Sequence, residues 1–340
     1  MKIAFLMDPL GSIRPINETT SHLMYECNER GHSVYFLEPH DVYIRKEEVV
    51  ARMRNITVSK GLTMKRYWRE LVTCLKKDEL IFETLYELDA LFLRKNPPLN
   101  YQVMEFLQPV SNRVFIINSI LGQIMGNSKL YTLNFPDIIP ETHVSRDPVR
   151  LKKLIDEFGG AMILKPLARF GGEGVIKVSD RDRENLNSLI HYYIRAYKDY
   201  PEREPIMVQE YLEEVKAEGD VRILMLNGEI LGAMRRMPKK GDFRTNIHAG
   251  AKAHRHEITP QEKEICRTIK NKLIADGLYF VGIDVIADKL VEINCVSPGG
   301  IPRINQLNHV RLEAHVIDFI EDRVKDMKAG KNTHKRMGRR

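Results

Sequence analysis

The chain has 340 residues, a formal net charge of +7 and 43% hydrophobic residues, enough for two or three compact lobes and too much for a single small module. No apolar run approaches the length needed to cross a bilayer, and the opening Met1-Lys-Ile-Ala-Phe-Leu-Met-Asp8 breaks off at Asp8 without a small-residue cleavage site, so it reads as a buried strand. Part of the basic excess sits in residues 328–340, where five of the last ten are Lys or Arg. That tail is expected to be disordered, and without a nucleic-acid motif neither nucleic acid nor membrane is an expected partner.

In chain order, strand-like and helix-like runs alternate over the first 120 residues. Lys2 to Met7, Val34 to Glu38, Ala90 to Arg94 and Val114 to Ile117 read as strands, and Ser21 to Arg30 reads as a helix capped by Asn17 to Ser21 and stopped at Gly31. This alternation predicts a parallel sheet with crossover helices in an α/β chain. Arg94-Lys-Asn-Pro-Pro98 follows a buried strand at the end where open α/β sheets bind ligands. A second lobe is expected over 121–204, closing with a polar helical surface connection, and a third over 205–327, both of α+β character. In the third, Asn227-Gly228 signals a tight hairpin. Cys27, Cys74, Cys266 and Cys295 lack metal or redox spacing, which predicts reduced thiols in a cytoplasmic protein.

The most informative segment is Val281-Gly-Ile-Asp-Val-Ile-Ala-Asp-Lys-Leu-Val-Glu-Ile-Asn294. Asp284 lies on one apolar strand, and Glu292 and Asn294 share a face of the next, because residues two apart in a strand point the same way. Carboxylates among such apolar neighbours need a charge partner, and hard oxygen ligands suit magnesium shared with nucleotide phosphates. Upstream, Lys165 ends the apolar strand Ala161 to Leu164 and precedes Phe170-Gly-Gly-Glu-Gly174. Gly171, Gly172 and Gly174 leave room for a nest of backbone N–H donors over an anion, or simply form a tight hairpin. Together these segments read as an ATP site. Arg235 to Lys252 reads as a mobile basic loop in which Arg236, Arg244 and Lys252 are candidates to neutralise a transferring phosphoryl group. His248, a single loop histidine, is assigned no role.

The order of lysine strand, glycine-rich loop, Val208-Gln-Glu-Tyr-Leu212, basic loop and Asp284…Glu292-Ile-Asn294 resembles the ATP-grasp superfamily. Within it the chain is similar nearly end to end to the bacterial glutathione synthetases, through Met7-Asp-Pro9, Arg94-Lys-Asn-Pro-Pro98, Ile163-Leu-Lys-Pro166, Arg236-Met-Pro238 and Asn294-Cys-Val-Ser-Pro298. The resemblance implies an ATP-grasp fold behind a Rossmann-like pre-ATP-grasp domain over residues 1–120. It implies that Lys129 and Lys165 contact ATP phosphates, that Gln209, Glu210, Tyr211 and Leu212 line the adenine pocket, and that Asp220 lies near the ribose. Asp284, Glu292 and Asn294 would hold two magnesium ions, with manganese able to substitute. Arg222, Arg236 and Arg244 would stabilise the phosphoryl group, and Arg94, Asn246, Ser297 and Gly299 would contact small-molecule substrates. The implied activity is ATP-dependent carboxylate–amine ligation, with glutathione as product, in a homo-oligomer. A ligase of another acceptor and a non-catalytic nucleotide-binding regulator are the alternatives. Ser128, Lys240 to Asn246 and Gly299-Gly300 depart from the family pattern, which bears on the acid and amine and leaves the ATP chemistry intact.

Overall fold

The structure, a computed structural model, describes residues 1–9, 17–76, 80–167, 171–194, 204–247 and 250–337. The chain runs through β1 (Lys2–Met7), α1 (Thr19–Glu29), β2 (Ser33–Leu37), β3 (Val42–Arg45), β4 (Glu48–Ile56), α2 (Met64–Lys76), β5 (Leu80–Thr84), β6 (Ala90–Arg94), α3 (Tyr101–Leu107), β7 (Phe115–Ile117) and α4 (Ile120–Gly126). Strands β2, β1, β6 and β7 lie side by side and parallel, as the alternation predicts. Beyond β2 the sheet continues antiparallel through β4, which carries β3 and β5. The β3–β4 turn uses Lys46 and Glu47 at φ 47° and 66°, so the Asn-Gly signature that announces such hairpins is missing.

The polar residues before α1 do not cap it. The helix start has no side-chain cap. Thr20 Oγ1 instead accepts from Arg94 Nε at 3.0 Å, and Thr19 Oγ1 accepts from the backbone N–H groups of Gly300 at 3.1 Å and Ile301 at 3.3 Å. These hydroxyls fasten the N-terminal sheet to a distant loop.

The second unit comprises β8 (Thr142–Ser145), α5 (Pro148–Glu157), β9 (Ala161–Pro166), β10 (Ile176–Ser179), α6 (Arg183–Tyr193) and β11 (Ile206–Glu210). Its antiparallel sheet has the order β10-β9-β11-β8. The expected boundary at residue 205 is therefore corrected: β11 is an inner strand of this second sheet. Its Ile206 and Val208 pack with Leu151 and Ile155 of α5 and with Leu186 and Ile190 of α6. Burial of the last two makes α6 a core helix rather than a surface connection; residues 195–203 lie outside the described residues.

After α7 (Val215–Glu218), the third unit is an antiparallel sheet of β12 (Asp220–Leu226), β13 (Glu229–Met237), β14 (Lys252–Arg255), then, beyond α8 (Pro260–Ala275), β15 (Phe280–Ile286) and β16 (Lys289–Asn294), in the order β14-β13-β12-β15-β16. Asn227-Gly228 makes the expected tight turn, with φ 50° and 77°. Ala287 and Asp288, at φ 46° and 57°, turn β15 into β16. The chain closes with α9 (Ile301–Asn308) and α10 (Leu312–Met337).

Helix α10 corrects the expected disordered tail, because it continues from Lys328 to Met337. Once nucleated on Val316, Ile320 and Val324, which are buried in the main core, a helix extends without a second nucleation cost, and Lys328 Nζ meets Asp89 Oδ1 at 2.5 Å. Residues 338–340 lie outside the described residues. The same core holds Ile3, Phe5 and Phe92 of the first sheet and Phe280 of the third. Buried Asn118 joins these two sheets, donating to the carbonyls of Phe280 and Cys295 at 2.7 and 2.9 Å and accepting from the Phe280 N–H at 2.7 Å. No described helix is long and apolar enough to cross a membrane, and the four cysteines are free thiols.

Candidate active site

Two cavities meet where the three sheets converge. The smaller, about 120 Å³, lies between the second and third units and is lined by Lys165, Gly172, Gln209 to Leu212, Asp220, Arg244 and Asp284, among others. The larger, about 740 Å³, opens onto the N-terminal domain and the Ser297 to Gly300 loop. Lys129, Arg236, Asn246 and Glu292 line both. Those four residues mark the junction.

A buried charge cluster forms the floor. Arg222 faces Asp284 across β12 and β15 and donates to it through Nε at 2.5 Å and Nη2 at 2.9 Å. Arg236 faces Asp220 across β12 and β13, donates to both its oxygens, and lies 2.9 Å from Asp284 Oδ1. Thr245 Oγ1 donates to Asp220 Oδ2 at 2.6 Å. Two acids and two guanidiniums balance, which lets them stay buried. Burial alone would raise the Asp284 pKa, but Arg222 and Arg236 hold it well below the usual carboxylate range. Burial raises that of Asp220 despite Arg236. Arg236 is therefore corrected from loop to strand: β13 runs to Met237, and cross-strand pairing with Asp220 neutralises its charge in place.

Lys165, at the end of β9, donates to Gln209 Oε1, and Gln209 Nε2 donates to Thr142 Oγ1 at 2.8 Å. Burial, reinforced by nearby Lys129 and opposed by Glu292, pushes the Lys165 pKa down to about 8. Burial also lowers that of Lys129, with Glu292 opposing. Both ammonium groups thus sit in a site short of negative charge.

The glycine-rich turn divides. Gly172 lines the smaller cavity and Gly171 the larger. Gly172 has φ +78°, and a Cβ there would stand 2.6 Å from Asn246 Oδ1. Gly174 lines neither cavity; its carbonyl accepts from Tyr193 Oη at 2.7 Å, and a Cβ would press on Pro166. Its glycine is required by local packing. Residues 243–246, in the segment after β13, lie down on this turn and on the segment after β11, where Phe243 meets Tyr211 edge-on at 6.4 Å between centroids. Arg244 is held by Asp242 at 2.8 Å. Lys252 opens β14 and is exposed, lining neither cavity. His248 lies outside the described residues.

Asp284 and Glu292 are directly paired across β15 and β16, and Asn294 Nδ2 reaches Asp284 Oδ2 at 3.3 Å. Among the described residues no three carboxylate, imidazole or thiolate groups converge. Two carboxylates and an amide are too few for a closed protein cage but fit magnesium, which keeps positions for phosphate and water; Asp284, both of whose oxygens already accept from arginine, would have to share one with the ion. Arg94, expected at the substrate, is corrected: it lines neither cavity and is 3% exposed. It donates to Pro298 O at 3.0 Å, and its own carbonyl accepts from Ser297 Oγ at 3.1 Å. Because the end of β6 is covered by the 297–300 loop, Arg94 braces that loop from behind, and burial pushes its pKa down to about 10. Ser297 and Gly299 line the larger cavity, and the Gly299 carbonyl accepts from Arg222 Nη1 at 3.2 Å.

Residues 1–122 match the family model of the prokaryotic glutathione synthetase N-terminal domain, and residues 128–309 that of its ATP-grasp domain. The chain belongs to the prokaryotic glutathione synthetase family. It is 36% identical to a glutathione synthetase of Synechocystis sp. over 94% of this chain and 99% of that one, and 38% identical to one of Gloeobacter violaceus over 94% and 96%. Among solved structures, a D-cycloserine synthetase matches with a TM-score of 0.61 over 94% of this chain and 99% of that one, at 13% identity. The macrocyclase MdnC from Microcystis aeruginosa, bound with a precursor peptide, matches with a TM-score of 0.60 over 95% and 100%, at 15% identity. These two share the fold. Within the family frame, sequence reasoning missed the bracing role of Asn118, Thr19 and Thr20, whose partners are more than 70 positions away. It also missed Glu18 and Arg303, which line the larger cavity.

Proposed function

We propose that the chain is an ATP-dependent carboxylate–amine ligase that joins γ-glutamylcysteine to glycine, giving glutathione, ADP and phosphate. The observation that carries the reading is the meeting of two cavities at Lys129, Arg236, Asn246 and Glu292. A phosphoryl group leaving the smaller cavity passes these residues to reach an acid in the larger one. Lys129 and Lys165 bind the phosphates, helped by the Gly172 turn, while Gln209 to Leu212 line the base pocket. Asp284, Glu292 and Asn294 would hold two magnesium ions, or manganese in their place. When bound, the metal neutralises phosphate charge and orients the phosphates for in-line transfer.

The acid's carboxylate oxygen attacks the γ-phosphorus and ADP leaves; the amine then attacks the acyl carbon, phosphate departs and the amine loses a proton. Arg236, locked between Asp220 and Asp284, and Arg222, locked on Asp284, meet developing charge without reorganising. Asp220, with both oxygens engaged, acts by holding Arg236. The loop bearing Phe243 and Arg244 covers the smaller cavity and excludes water from the acyl-phosphate. At about 120 Å³ that cavity is well below the few hundred Å³ typical of small-molecule sites, so the loop must lift to admit nucleotide.

The size of the larger cavity, about 740 Å³, also favours a second reading: the same chemistry on a longer peptide or another amine. Coupled ADP release with ATP, magnesium and γ-glutamylcysteine, with and without glycine, followed by product mass, tests the two. A glycine-dependent rate and a product of glutathione mass are expected. Turnover that needs a different acid or amine would move the assignment to the second reading, and substrate-independent ADP release would remove both.

A further inference from the structure

Six described charged residues line the larger cavity: Glu18, Lys129, Arg222, Arg236, Glu292 and Arg303. Arg222 and Arg236 are committed to the acids beneath them. Lys129 and Glu292 also face the smaller cavity, where phosphate and metal belong. Glu18 and Arg303 remain. Both are half-buried. Glu18 stands at the start of α1 yet does not cap it; among the described residues neither side chain makes a hydrogen bond or ion pair, although the Glu18 charge acts on buried Arg94. An acid and a base lining one cavity, neither engaged in a hydrogen bond or ion pair, are complementary to a ligand that carries both charges.

Their place in the fold sets which end of a ligand they meet. No described residue of the N-terminal domain lines the smaller cavity, whereas Glu18 and Asn96 line the larger one. The first turn of α9, which carries Arg303, is tied to Thr19, the neighbour of Glu18, because the N–H groups of Gly300 and Ile301 both donate to Thr19 Oγ1. Behind this corner lies Arg94, whose buried Nη1 has no partner among the described residues. The wall thus belongs to the substrate and not to the nucleotide.

We propose that Glu18 and Arg303 recognise the amino-acid head group of the acid substrate, with its α-carboxylate on Arg303 and its α-ammonium on Glu18. This rests on the ligase reading above. The carboxylate to be phosphorylated must lie at the junction, so the opposite end of the acid faces the N-terminal wall. A γ-linked glutamyl dipeptide presents a free ammonium and a free carboxylate at that end. An α-linked dipeptide presents the ammonium on a carbon whose carboxyl is consumed in the peptide bond. The pair therefore selects γ over α linkage before any chemistry occurs.

Calorimetric titration of the full chain, saturated with a non-hydrolysable ATP analogue and magnesium, tests this without requiring turnover. The probes are γ-glutamylcysteine, 4-aminobutanoyl-cysteine, which lacks the α-carboxylate, and glutaryl-cysteine, which lacks the α-ammonium. Each deletion should weaken binding roughly 10- to 100-fold, the scale of one charge-assisted hydrogen bond. Arg303→Ala should weaken γ-glutamylcysteine to the level of the decarboxylated analogue and leave that analogue's affinity as in the parent chain. Glu18→Gln should do the same with glutaryl-cysteine, and both variants should keep the affinity for the ATP analogue that reports an intact fold. Equal binding of all three probes, equal weakening of parent and truncated probes by Arg303→Ala, or failure of γ-glutamylcysteine to bind would each overturn the proposal. Binding with this pattern but without turnover would retract the ligase reading and leave the head-group site standing.

Discussion

Asp284 is at once a candidate metal ligand and the acid on which two buried arginines depend, and these roles separate under mutation. Replacing it with Ala leaves Arg222 with only the Gly299 carbonyl and leaves Arg236 with Asp220 alone. The cluster, neutral with two acids and two bases, then carries one uncompensated buried positive charge. Breaking a buried pair this way costs about 3–5 kcal/mol, and Asp284 is 3% exposed, so little solvent screening relieves it. With chelator present and no nucleotide, the unfolding midpoint should fall by roughly 4–7 °C, because an unfolding entropy of about 2.1 cal/mol/K per residue makes each kcal/mol worth ~1.4 °C in a chain of 340 residues. Glu292 is the internal control. It is directly paired with Asp284 across the hairpin but half-buried, and it makes no ion pair among the described residues. Glu292→Ala should therefore keep metal-free stability within about 1 kcal/mol. Both variants should lose two or more orders of magnitude in turnover, on the order of several kcal/mol of charge stabilisation. Scanning calorimetry without metal, beside ADP-release kinetics with it, reads both effects. A metal-free midpoint for Asp284→Ala equal to or above the parent's would refute the charge-balance argument whatever its activity.

Because Lys165 titrates near pH 8 in the free protein and phosphate favours its charged form, nucleotide binding at pH 8.5 should take up about 0.7 proton, falling toward zero at pH 6.5; calorimetry in buffers of different ionisation enthalpy measures it, and uptake that persists in Lys165→Met would assign the proton elsewhere. Gly219 has φ +69°, and a Cβ there would lie 2.1 Å from the Arg236 carbonyl oxygen. Gly219→Ala should destabilise by roughly 1–3 kcal/mol or more and disturb the Asp220–Arg236 pair, and a denaturation curve matching the parent's would contradict the clash. Limited proteolysis should cut between Pro238 and Ala251 faster in the free protein than with ATP analogue and magnesium, with Phe243→Ala cut faster still. Identical cleavage with and without ligand would exclude a lid.

The parallel half of the first sheet, the Asn227-Gly228 turn and the successive strands carrying Asp284 and Glu292 are legible because each rests on local chemistry: buried β-branched runs, a turn dipeptide, the two-residue period of a strand. What escaped was decided at long range. The assignment of β11 to the second sheet depends on α5 and α6 packing against it. In sequence Arg236 looks like a loop residue because its basic neighbours dominate the segment, while the acid that buries it sits 16 positions earlier on the adjoining strand. Arg94 was placed at the substrate by its position at a strand end, and the covering loop arrives from about 200 residues later. Glu18 and Arg303 carry no motif, and their meaning comes from a shared wall.

The main core joins Ile3 and Phe5 of the first strand to Val316, Ile320 and Val324 of the last helix. During synthesis the N-terminal sheet, covered on this face only by α1 and α2, must wait with the rest of it exposed until about 200 further residues have followed β7 out of the ribosome. The N-terminal domain expressed alone should accordingly be sticky and poorly soluble, and a chain stalled before α10 is a natural client for a chaperone that shields exposed strands.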